Sequence, residues 1–280
     1  MSTHERLLSG AARLAGVIGW PVAHSRSPRL HGHWLALHGI DGAYVPLAVH
    51  PDHLAEAVLG LRAAGFRGLN VTLPHKQAVM ALCDRVEASA ARAGAVNTLV
   101  FEPDGIVGSN TDSTGYIANL RAHGVDPAAG PALILGAGGG ARAIAAALLD
   151  LGAAVTVCNR TRQRADTLAA ALPGVHVVAW EARATALAGH ALLVNTTQLG
   201  MYGQPALDMA LDAAPPGLVV SDIVYAPLET ALLADARARG FQAVTGIGML
   251  LHQAVPGFAQ WFGAVPVVDA ALQDAVLGMT

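Results

Sequence analysis

The chain has 280 residues, of which 53% are apolar and only 13% are charged. A chain of this length buries about 73% of its unfolded surface, which is ample for a core and excludes intrinsic disorder. The net charge of −3 supplies no basic field for general binding of nucleic acid or an anionic membrane. The two cysteines, Cys83 and Cys158, have neither metal-ligand nor disulfide-framework spacing. Their spacing predicts no metal site and favours a reducing compartment, the cytoplasm.

The mean hydropathy of +0.44 requires a check for membrane spans. Residues 241–268 carry no formal charge, but glutamines, a histidine and two prolines interrupt the stretch, so no span is predicted. The amino-terminal residues carry charge early and lack the apolar core of a signal peptide.

Short β-branched apolar runs alternate with Ala- and Leu-rich segments of helical length, which is typical of an α/β fold. In the first part of the chain, the predicted strands are Leu14–Ile18, Tyr44–Val49, Gly68–Thr72 and Val96–Phe101. The predicted helices lie near residues 28–38, 51–64 and 76–82, with another from Ser113 onward.

A second alternation begins after a turn at residues 124–127. Its predicted strands are Ala132–Leu135, Ala154–Cys158, Val175–Ala179, Leu192–Asn195, Leu218–Ile223 and Ala243–Val244. Its predicted helices are Ala141–Leu151, Thr161–Leu172, Leu228–Arg239, Ile247–Phe262 and a last one near residues 268–277. Several strands are apolar at consecutive positions, as a parallel sheet covered on both faces requires. Two wound α/β domains therefore fit better than one.

A glycine-rich turn joins the first strand and helix of the second alternation. Its G-x-G-x-x-A pattern consists of Gly136, Ala137, Gly138, Gly139, Gly140 and Ala141. In this pattern the first glycine permits a tight turn, the second lets backbone N–H groups reach a pyrophosphate, and the small last residue lets the helix pack close to the sheet. A glycine triplet alone is only a flexible turn, but strand, helix and a second strand ending at Cys158 fall at the right distances. The pattern predicts dinucleotide binding.

The end of that second strand bears on cofactor choice. An NAD site usually presents an acid there to the ribose 2′-hydroxyl, whereas this chain presents Asn159, Arg160, Thr161 and, three residues later, Arg164. The two arginines stand one helical turn apart and can bracket a 2′-phosphate, with Asn159 and Thr161 adding neutral hydrogen bonds. The alternative is a solvated basic helix start, but cations there oppose the helix dipole. The sequence predicts NADP over NAD.

Three further strings carry polar residues at strand ends, within residues 19–28, 70–76 and 108–112. Their chemistry-bearing residues are Ser25, Ser27, Asn70, Thr72, Lys76 and Asp112. Taken singly, each string has an ordinary structural interpretation, with Ser27 as a helix cap, Lys76 as a solvated lysine and Asp112 as an N-cap.

Together, and in this chain order, the strings resemble those of the shikimate dehydrogenase family. The matching stretches are residues 19–31, 70–76, 94–98, 110–112 with Gly115, 136–143, 159–161, 195–197 with 200–201, 222–225 with Pro227, and 246–254. The resemblance implies a substrate-binding domain of residues 1–111 plus 247–280 and an inserted NADP-binding Rossmann domain of residues 112–246. The segment 241–268 then becomes a buried helix that returns to the first domain.

The resemblance also implies the activity, which is reversible reduction of 3-dehydroshikimate to shikimate by NADPH in aromatic amino acid biosynthesis. Lys76 and Asp112 match the catalytic pair, and which of the two is the formal acid stays open. An ammonium can stabilise the oxygen that gains charge as hydride arrives and can donate a proton to it. The substrate-binding positions are Ser25, Ser27 and Tyr225 for the carboxylate and Asn70, Thr72, Asn97 and Gln253 for the ring hydroxyls. The resemblance also places Thr196, Gly246 and Met249 in the cofactor site.

Three positions depart from the family pattern. Gly32 stands where Asn is frequent and Gln198 where Ser is usual, and both bear on substrate preference. Gly140 makes a third consecutive glycine, which is expected to loosen the phosphate turn.

Several alternatives stay open. A quinate or quinate/shikimate dehydrogenase often uses NAD, against which the arginines and Ser27 argue. A catalytically silent NADP-binding homologue need not keep Lys76 and Asp112. Another Rossmann reductase, such as methylenetetrahydrofolate dehydrogenase, gains no support from Ser25, Ser27 and Tyr225. The expected partner is a small-molecule substrate, with no nucleic acid or membrane, for a monomer or homodimer.

Overall fold

The computed structural model describes residues 7–278, which divide into two compact units. Unit 1 comprises the described residues up to 91, then 95–111 and those from 254 onward, and unit 2 comprises 92–94 and 112–253. The assignment of substrate to unit 1 and of NADP to unit 2 stays a prediction at this point.

Twelve strands and ten α-helices lie in the described residues. The strands are β1 (Arg13–Gly19), β2 (Gly42–Ala48), β3 (Gly68–Val71), β4 (Arg85–Val86), β5 (Thr98–Glu102), β6 (Gly105–Ser109), β7 (Ala132–Leu135), β8 (Val155–Cys158), β9 (Val175–Val178), β10 (Leu192–Asn195), β11 (Val219–Asp222) and β12 (Gln242–Val244). The helices are α1 (Ser27–Leu37), α2 (Leu54–Ala63), α3 (Ala88–Ala93), α4 (Asp112–Ala122), α5 (Gly139–Asp150), α6 (Arg162–Ala171), α7 (Arg183–Ala186), α8 (Ala231–Ala238), α9 (Ile247–Phe262) and α10 (Ala270–Leu277).

Unit 1 is built on a mixed sheet of order β2-β1-β3-β5-β6-β4, in which β5 runs antiparallel to both neighbours and the other pairs are parallel. One face buries Ile18, Leu69 and Val71 with Val58 of α2. On the other face Tyr44 belongs to an aromatic group with members on α1 and α9. Both faces are therefore covered.

Unit 2 is built on a fully parallel sheet of order β12-β11-β10-β7-β8-β9. Along β7, Ala132 and Ile134 enter one hydrophobic core, whereas Leu133 and Leu135 enter another. A parallel strand buried on both faces has this uninterrupted apolar sequence. The strand order is that of the doubly wound dinucleotide-binding fold, in which ligands bind beyond the carboxyl ends of the strands where the order reverses. That point lies between β7 and β10, and the predicted α/β fold class with a Rossmann-type unit is confirmed.

The predicted strands and the long helices agree with the structure to within a few residues. The helix predicted at 76–82 is instead a 3₁₀ helix at Ala78–Leu82, in which the N–H of Cys83 donates to the carbonyl of Met80 at 3.2 Å. The stretch between Pro74 and the start of β4 at Arg85 is too short to form a regular α-helix. The helix predicted from Leu228 begins at Ala231, because the Thr230 hydroxyl accepts from the N–H of Leu233 and caps it.

Within the described residues, no helix is long and apolar enough to cross a membrane. Over the same residues, no three His, Cys, Asp or Glu side chains are grouped to hold a metal ion.

Candidate active site

The amino-terminal end of α1 forms the first part of the site. The Ser25 hydroxyl accepts from the N–H of Ser27 at 3.3 Å, and Ser27 itself is only 6% exposed. Arg26 occupies the N-cap position without making a side-chain capping hydrogen bond to any described residue. Ser27 donates its N–H to Ser25 and Pro28 has none, so this helix end offers an anion such as a carboxylate the N–H of Arg29 and the two hydroxyls. Ser27 is therefore the first residue of the helix and not its cap.

The ends of β1 and β3 bring the next residues to the same sheet edge. Thr72 donates its N–H to the carbonyl of Ile18, and Trp20 donates its N–H to the carbonyl of Leu73, both at 3.0 Å. Because β1 and β3 are adjacent and parallel, the loop to α1 and the loop after β3 leave the sheet side by side. Thr72 is partly buried there.

A buried polar network lies behind this edge. The amide nitrogen of Asn70 donates to the carbonyl of Asn97 at 3.2 Å and to the Thr98 hydroxyl at 3.3 Å. The Tyr44 hydroxyl donates to the amide oxygen of Asn70 at 2.6 Å. Asn97 donates to the Thr111 hydroxyl at 3.0 Å and accepts from the Thr111 N–H at 2.8 Å. Buried amides tied in this way hold fixed orientations.

Lys76 stands at the end of a short anchored turn. The N–H of His75 donates to the carbonyl of Thr72 at 2.9 Å, and the buried imidazole of His75 contacts the carbonyl of Val49 at 2.8 Å. The carbonyl of Lys76 accepts from the N–H of Val96 at 2.7 Å, next to Asn97. The lysine is partly buried on a fixed backbone rather than fully solvated.

In unit 2, Asp112 is the first residue of α4 and is only 5% exposed. One turn later, a Cβ on Gly115 would stand 2.6 Å from the Cβ of Gln253. This close approach of α4 and α9 requires a glycine. Because residues three apart share a helix face, Gln253 lies against the face of α4 that carries Asp112. Gln253 is 8% exposed and donates to the carbonyl of Leu250 at 3.0 Å.

A buried carboxylate precedes Tyr225. Asp222 is 1% exposed and accepts hydrogen bonds from the Asn195 amide at 3.0 Å, the Val224 N–H at 3.0 Å and the Thr230 hydroxyl at 2.7 Å. Burial raises the pKa of the Asp222 carboxyl, and these three donors oppose the rise. The network joins the loop after β10 to the loop that carries the partly buried Tyr225.

The glycine-rich turn follows β7 at the point where the strand order reverses. Gly136 has φ +116°, and a Cβ there would stand 2.5 Å from the Thr196 hydroxyl, which donates to the carbonyl of Leu135 at 2.7 Å. Gly138 is the N-cap of α5, and no described atom lies within 4 Å of where its Cβ would stand. Ala141 is fully buried against the core. The turn thus leaves open space beside Gly138, the residue that directly precedes the first turn of α5.

The arginines after β8 differ in their partners. Arg162 forms an ion pair with Asp166 at 2.7 Å. Among the described residues, neither Arg160 nor Arg164 forms an ion pair, and both are exposed. The Asn159 amide donates to the carbonyl of Thr161 at 2.8 Å. Two of the three cations are therefore available for an external anion, and they are the two that the sequence singled out.

Of the remaining predicted cofactor residues, Gly246 follows β12, Met249 lies on α9 and Ala137 lies in the turn after β7. Gly246 is buried, and a Cβ there would stand 2.7 Å from the carbonyl oxygen of Val224. Met249 is 8% exposed and packs in a core of unit 2. Ala137 is buried in the same core.

The three departures from the family pattern have different surroundings. Gly32 lies on α1 and is partly buried, whereas Gln198 is exposed in the loop after β10. Gly140 lies in the first turn of α5 and not in the turn that precedes it, and a Cβ there would stand 3.1 Å from the Cδ1 of Ile223.

Sequence reasoning assigned no role to Tyr44, His31 or Asp222. Tyr44 stands in an apolar strand, where an aromatic residue is ordinary and gives no signal. His31 and Asp222 lie in stretches that carried the resemblance, so their polarity at otherwise apolar positions was the available signal.

Comparison with known proteins identifies the family. The model of the shikimate dehydrogenase substrate binding domain matches residues 17–99, and that of shikimate/quinate 5-dehydrogenase matches residues 120–199. Shikimate dehydrogenase (NADP(+)) of Acidiphilium cryptum is 67% identical over 96% of this chain and 98% of that protein.

Two solved structures extend the likeness to the fold. Shikimate 5-dehydrogenase of Thermus thermophilus, in complex with NADP(H) and shikimate, has a TM-score of 0.87 at 37% identity, covering 96% of this chain and 100% of that one. Quinate dehydrogenase of Corynebacterium glutamicum, in complex with NAD, has a TM-score of 0.87 at 30% identity, covering 95% and 99%. The chain therefore belongs to the shikimate/quinate dehydrogenase family.

Proposed function

We propose that this chain catalyses the reversible reduction of 3-dehydroshikimate to shikimate by NADPH, a step toward the aromatic amino acids. The observation that carries the proposal is the polar edge of unit 1. Three kinds of group lie there at the ends of adjacent strands: the start of α1 with its two serine hydroxyls, the two buried amides of Asn70 and Asn97, and the partly buried Lys76. A small anionic polyol requires such a set, with an anion site for its carboxylate and oriented neutral groups for its hydroxyls.

Each substrate residue has a chemical role in this proposal. Ser25, Ser27 and Tyr225 bind the carboxylate, and Asn70, Thr72, Asn97 and Gln253 bind the ring hydroxyls. The Nζ of Lys76 stabilises the charge that grows on the carbonyl oxygen during reduction and supplies a proton to it. Asp112 holds the lysine and a ring hydroxyl in place.

The residues of unit 2 fit NADP, which supplies the hydride when bound. The N–H groups at the start of α5 suit the pyrophosphate because Gly138 leaves the space before them open. Arg160 and Arg164 suit the 2′-phosphate because each is exposed without an ion pair among the described residues, whereas Arg162 is already paired. Asn159, Thr161, Thr196, Gly246 and Met249 complete the cofactor site.

A spectrophotometric assay at 340 nm tests the proposal, with shikimate and quinate each combined with NADP and NAD. The expected kcat/KM is highest for shikimate with NADP and at least about tenfold lower when NAD replaces NADP. The second candidate, a quinate dehydrogenase, is favoured by the likeness to the Corynebacterium glutamicum enzyme. Highest activity with quinate and NAD would contradict the proposal, and no turnover in any combination would favour a silent homologue.

We also propose that the protein works in the cytoplasm as a monomer or homodimer. Cys83 and Cys158 form no disulfide. Burial raises the pKa of the Cys83 thiol to about 11 and that of Cys158 to about 12, which keeps both protonated. Fractionation of cells and sedimentation of the purified protein test these two statements.

A further inference from the structure

The amide of Asn70 has one hydrogen-bonding position left for a ligand. Its two amide hydrogens go to the carbonyl of Asn97 at 3.2 Å and the hydroxyl of Thr98 at 3.3 Å. The carbonyl of Asn97 can only accept, so it fixes which end of the amide carries the nitrogen. The amide oxygen accepts from the Tyr44 hydroxyl at 2.6 Å. The His31 imidazole lies near this oxygen, but neither of its nitrogens meets hydrogen-bond geometry with any described residue, so the second lone pair of the oxygen has no donor among the described residues.

Tyr44 reaches Asn70 across an intervening strand. Tyr44 lies on β2 opposite Ala15 of β1, and Asn70 lies on β3 opposite Val17 of β1. These positions share one face of the sheet, and β2 and β3 are two strand spacings apart, about 10 Å. Only a long side chain with a polar tip spans that distance, and the small Ala15 methyl leaves room for it. The contact is thus a product of the sheet register and not of sequence proximity.

The phenol ring is itself held in place. The His31 imidazole stacks on the Tyr44 ring with centroids 3.9 Å apart and planes 10° from parallel. Burial lowers the pKa of His31 to about 3, against a smaller opposing effect of the Asn70 side chain, so the imidazole is neutral at pH 7. A flat neutral ring fixes the plane of the tyrosine without adding charge beside the amide.

We propose that Tyr44 is a positioning residue for the substrate. Its hydroxyl holds Asn70 so that the free lone pair of the amide oxygen accepts from a donating ring hydroxyl. The inference rests on the proposed function, because it assigns Asn70 to shikimate. Tyr44 and Asn70 are each 6% exposed. Solvent therefore cannot replace a hydrogen bond that is lost when the amide is wrongly oriented. Misplacement of a binding group by about 1 Å can cost up to about a hundredfold in rate.

A double-mutant cycle tests the inference on the full chain. Tyr44→Phe, Asn70→Ala and the double variant are compared with wild type for kcat/KM with shikimate, KM for NADP and melting temperature. Tyr44→Phe is expected to lower kcat/KM for shikimate by about 3- to 15-fold, the worth of one buried hydrogen bond, and to leave KM for NADP unchanged. In the Asn70→Ala background the same substitution is expected to cost nothing further.

Tyr116→Phe is the matched control. Tyr116 is fully buried in a core of unit 2, and its hydroxyl lies near Ser221, which has no place in the proposed substrate site. Removal of that hydroxyl is expected to leave kcat/KM for shikimate unchanged. Should Tyr44→Phe fail to fold, Thr98→Val removes a partner of the same amide and is also expected to lower kcat/KM for shikimate. Because the Thr98 hydroxyl also donates to the amide oxygen of Asn97 at 2.9 Å, only part of that loss is expected to disappear in the Asn70→Ala background.

The outcomes separate the two proposals. A wild-type protein without activity on shikimate overturns the proposed function. An active wild type overturns the inference alone if Tyr44→Phe loses less than about threefold, or if it loses as much in the Asn70→Ala background as in wild type. A melting temperature lowered in Tyr44→Phe with kcat/KM unchanged assigns Tyr44 a structural role only and also overturns it.

Discussion

The two units present their polar groups in opposite ways. In unit 1, Asn70 and Asn97 are buried and hydrogen-bonded to fixed partners. In unit 2, the candidate phosphate groups are the backbone at the start of α5 and two exposed arginines that form no ion pair with any described residue. Buried neutral groups discriminate by geometry, because each unpaired one costs free energy. Exposed cations attract by charge and adapt their side chains to the ligand.

This difference matches the chemistry of the two proposed ligands. A ring of hydroxyls on a small molecule is distinguished only by position, so the protein has to be rigid where it contacts them. A phosphate is distinguished by its charge, which a mobile guanidinium recognises well.

The largest effect is expected at Lys76, whose ammonium lies at the polar edge of unit 1. Lys76→Ala should lower kcat by on the order of 10² to 10⁴, because it removes both a proton donor and an oxyanion partner. The measurement is kcat with saturating 3-dehydroshikimate and NADPH. Retention of more than about a tenth of the turnover would remove the lysine from the mechanism.

Asp112→Asn supplies the partner experiment. It should be similarly damaging, and the Lys76→Ala/Asp112→Asn variant should be much less than multiplicatively worse if the two residues act as one. Multiplicative losses would mean that they act independently.

The arginines after β8 test whether charge recognises the cofactor phosphate, because Arg162 serves as a control for Arg160. Arg160→Ala should weaken NADPH binding about 10- to 150-fold and leave NADH use nearly unchanged, because it removes a charge-assisted hydrogen bond of about 1.5 to 3 kcal/mol. Arg162→Ala should change NADPH binding less than about twofold, since Arg162 is paired with Asp166. Equal losses with both cofactors, or equal losses in both variants, would contradict the assignment.

The sequence predicted unit 2 better than unit 1, for a physical reason. The glycine turn and the arginines each lie in one short segment, and their proposed roles depend on backbone conformation and on charge. Both properties can be recognised from the sequence. Strand β6 was not predicted because Gly105 and Gly108 give it low strand propensity. Antiparallel pairing with β5 stabilises it as a strand in the folded protein. The contact between Tyr44 and Asn70 depends on register across three strands, which no local pattern encodes.

The buried His31 of unit 1 is expected to make the protein less stable in acid. Burial lowers its pKa from 6.5 to about 3, so the folded state prefers the neutral imidazole. Its contribution is complete above pH 6.5 and is lost as the pH falls from 6.5 toward 3. Between pH 7.5 and pH 5 the loss is about 2 kcal/mol.

The measurement is the free energy of unfolding at both pH values for wild type and His31→Phe. His31→Phe should remove about 2 kcal/mol of the pH dependence, whereas His176→Gln, at an exposed position, should leave it intact. Parallel pH profiles for wild type and His31→Phe would contradict the neutral, buried imidazole.

The smallest effect is expected at the third glycine of the phosphate turn. Gly140 lies within α5, and a Cβ there would stand 3.1 Å from the Cδ1 of Ile223, at the end of that side chain. Gly140→Ala should therefore raise stability by no more than about 1 kcal/mol through helix propensity. Gly136→Ala should instead lower it by more than about 1 kcal/mol, because φ is +116° and the Thr196 hydroxyl stands 2.5 Å away. Melting temperatures that move in the same direction would contradict these placements.

The division of labour between the units is tested most directly by two Michaelis constants in two variants. For Arg160→Ala and Ser27→Ala, KM is measured with NADPH and with 3-dehydroshikimate as the varied ligand. Arg160→Ala is expected to raise only the KM for NADPH, about tenfold or more, and Ser27→Ala only the KM for the dehydroshikimate substrate, by about 3- to 15-fold. If either variant raises both KM values by the same factor, the two ligands do not have separate sets of residues, which would contradict the division between the units.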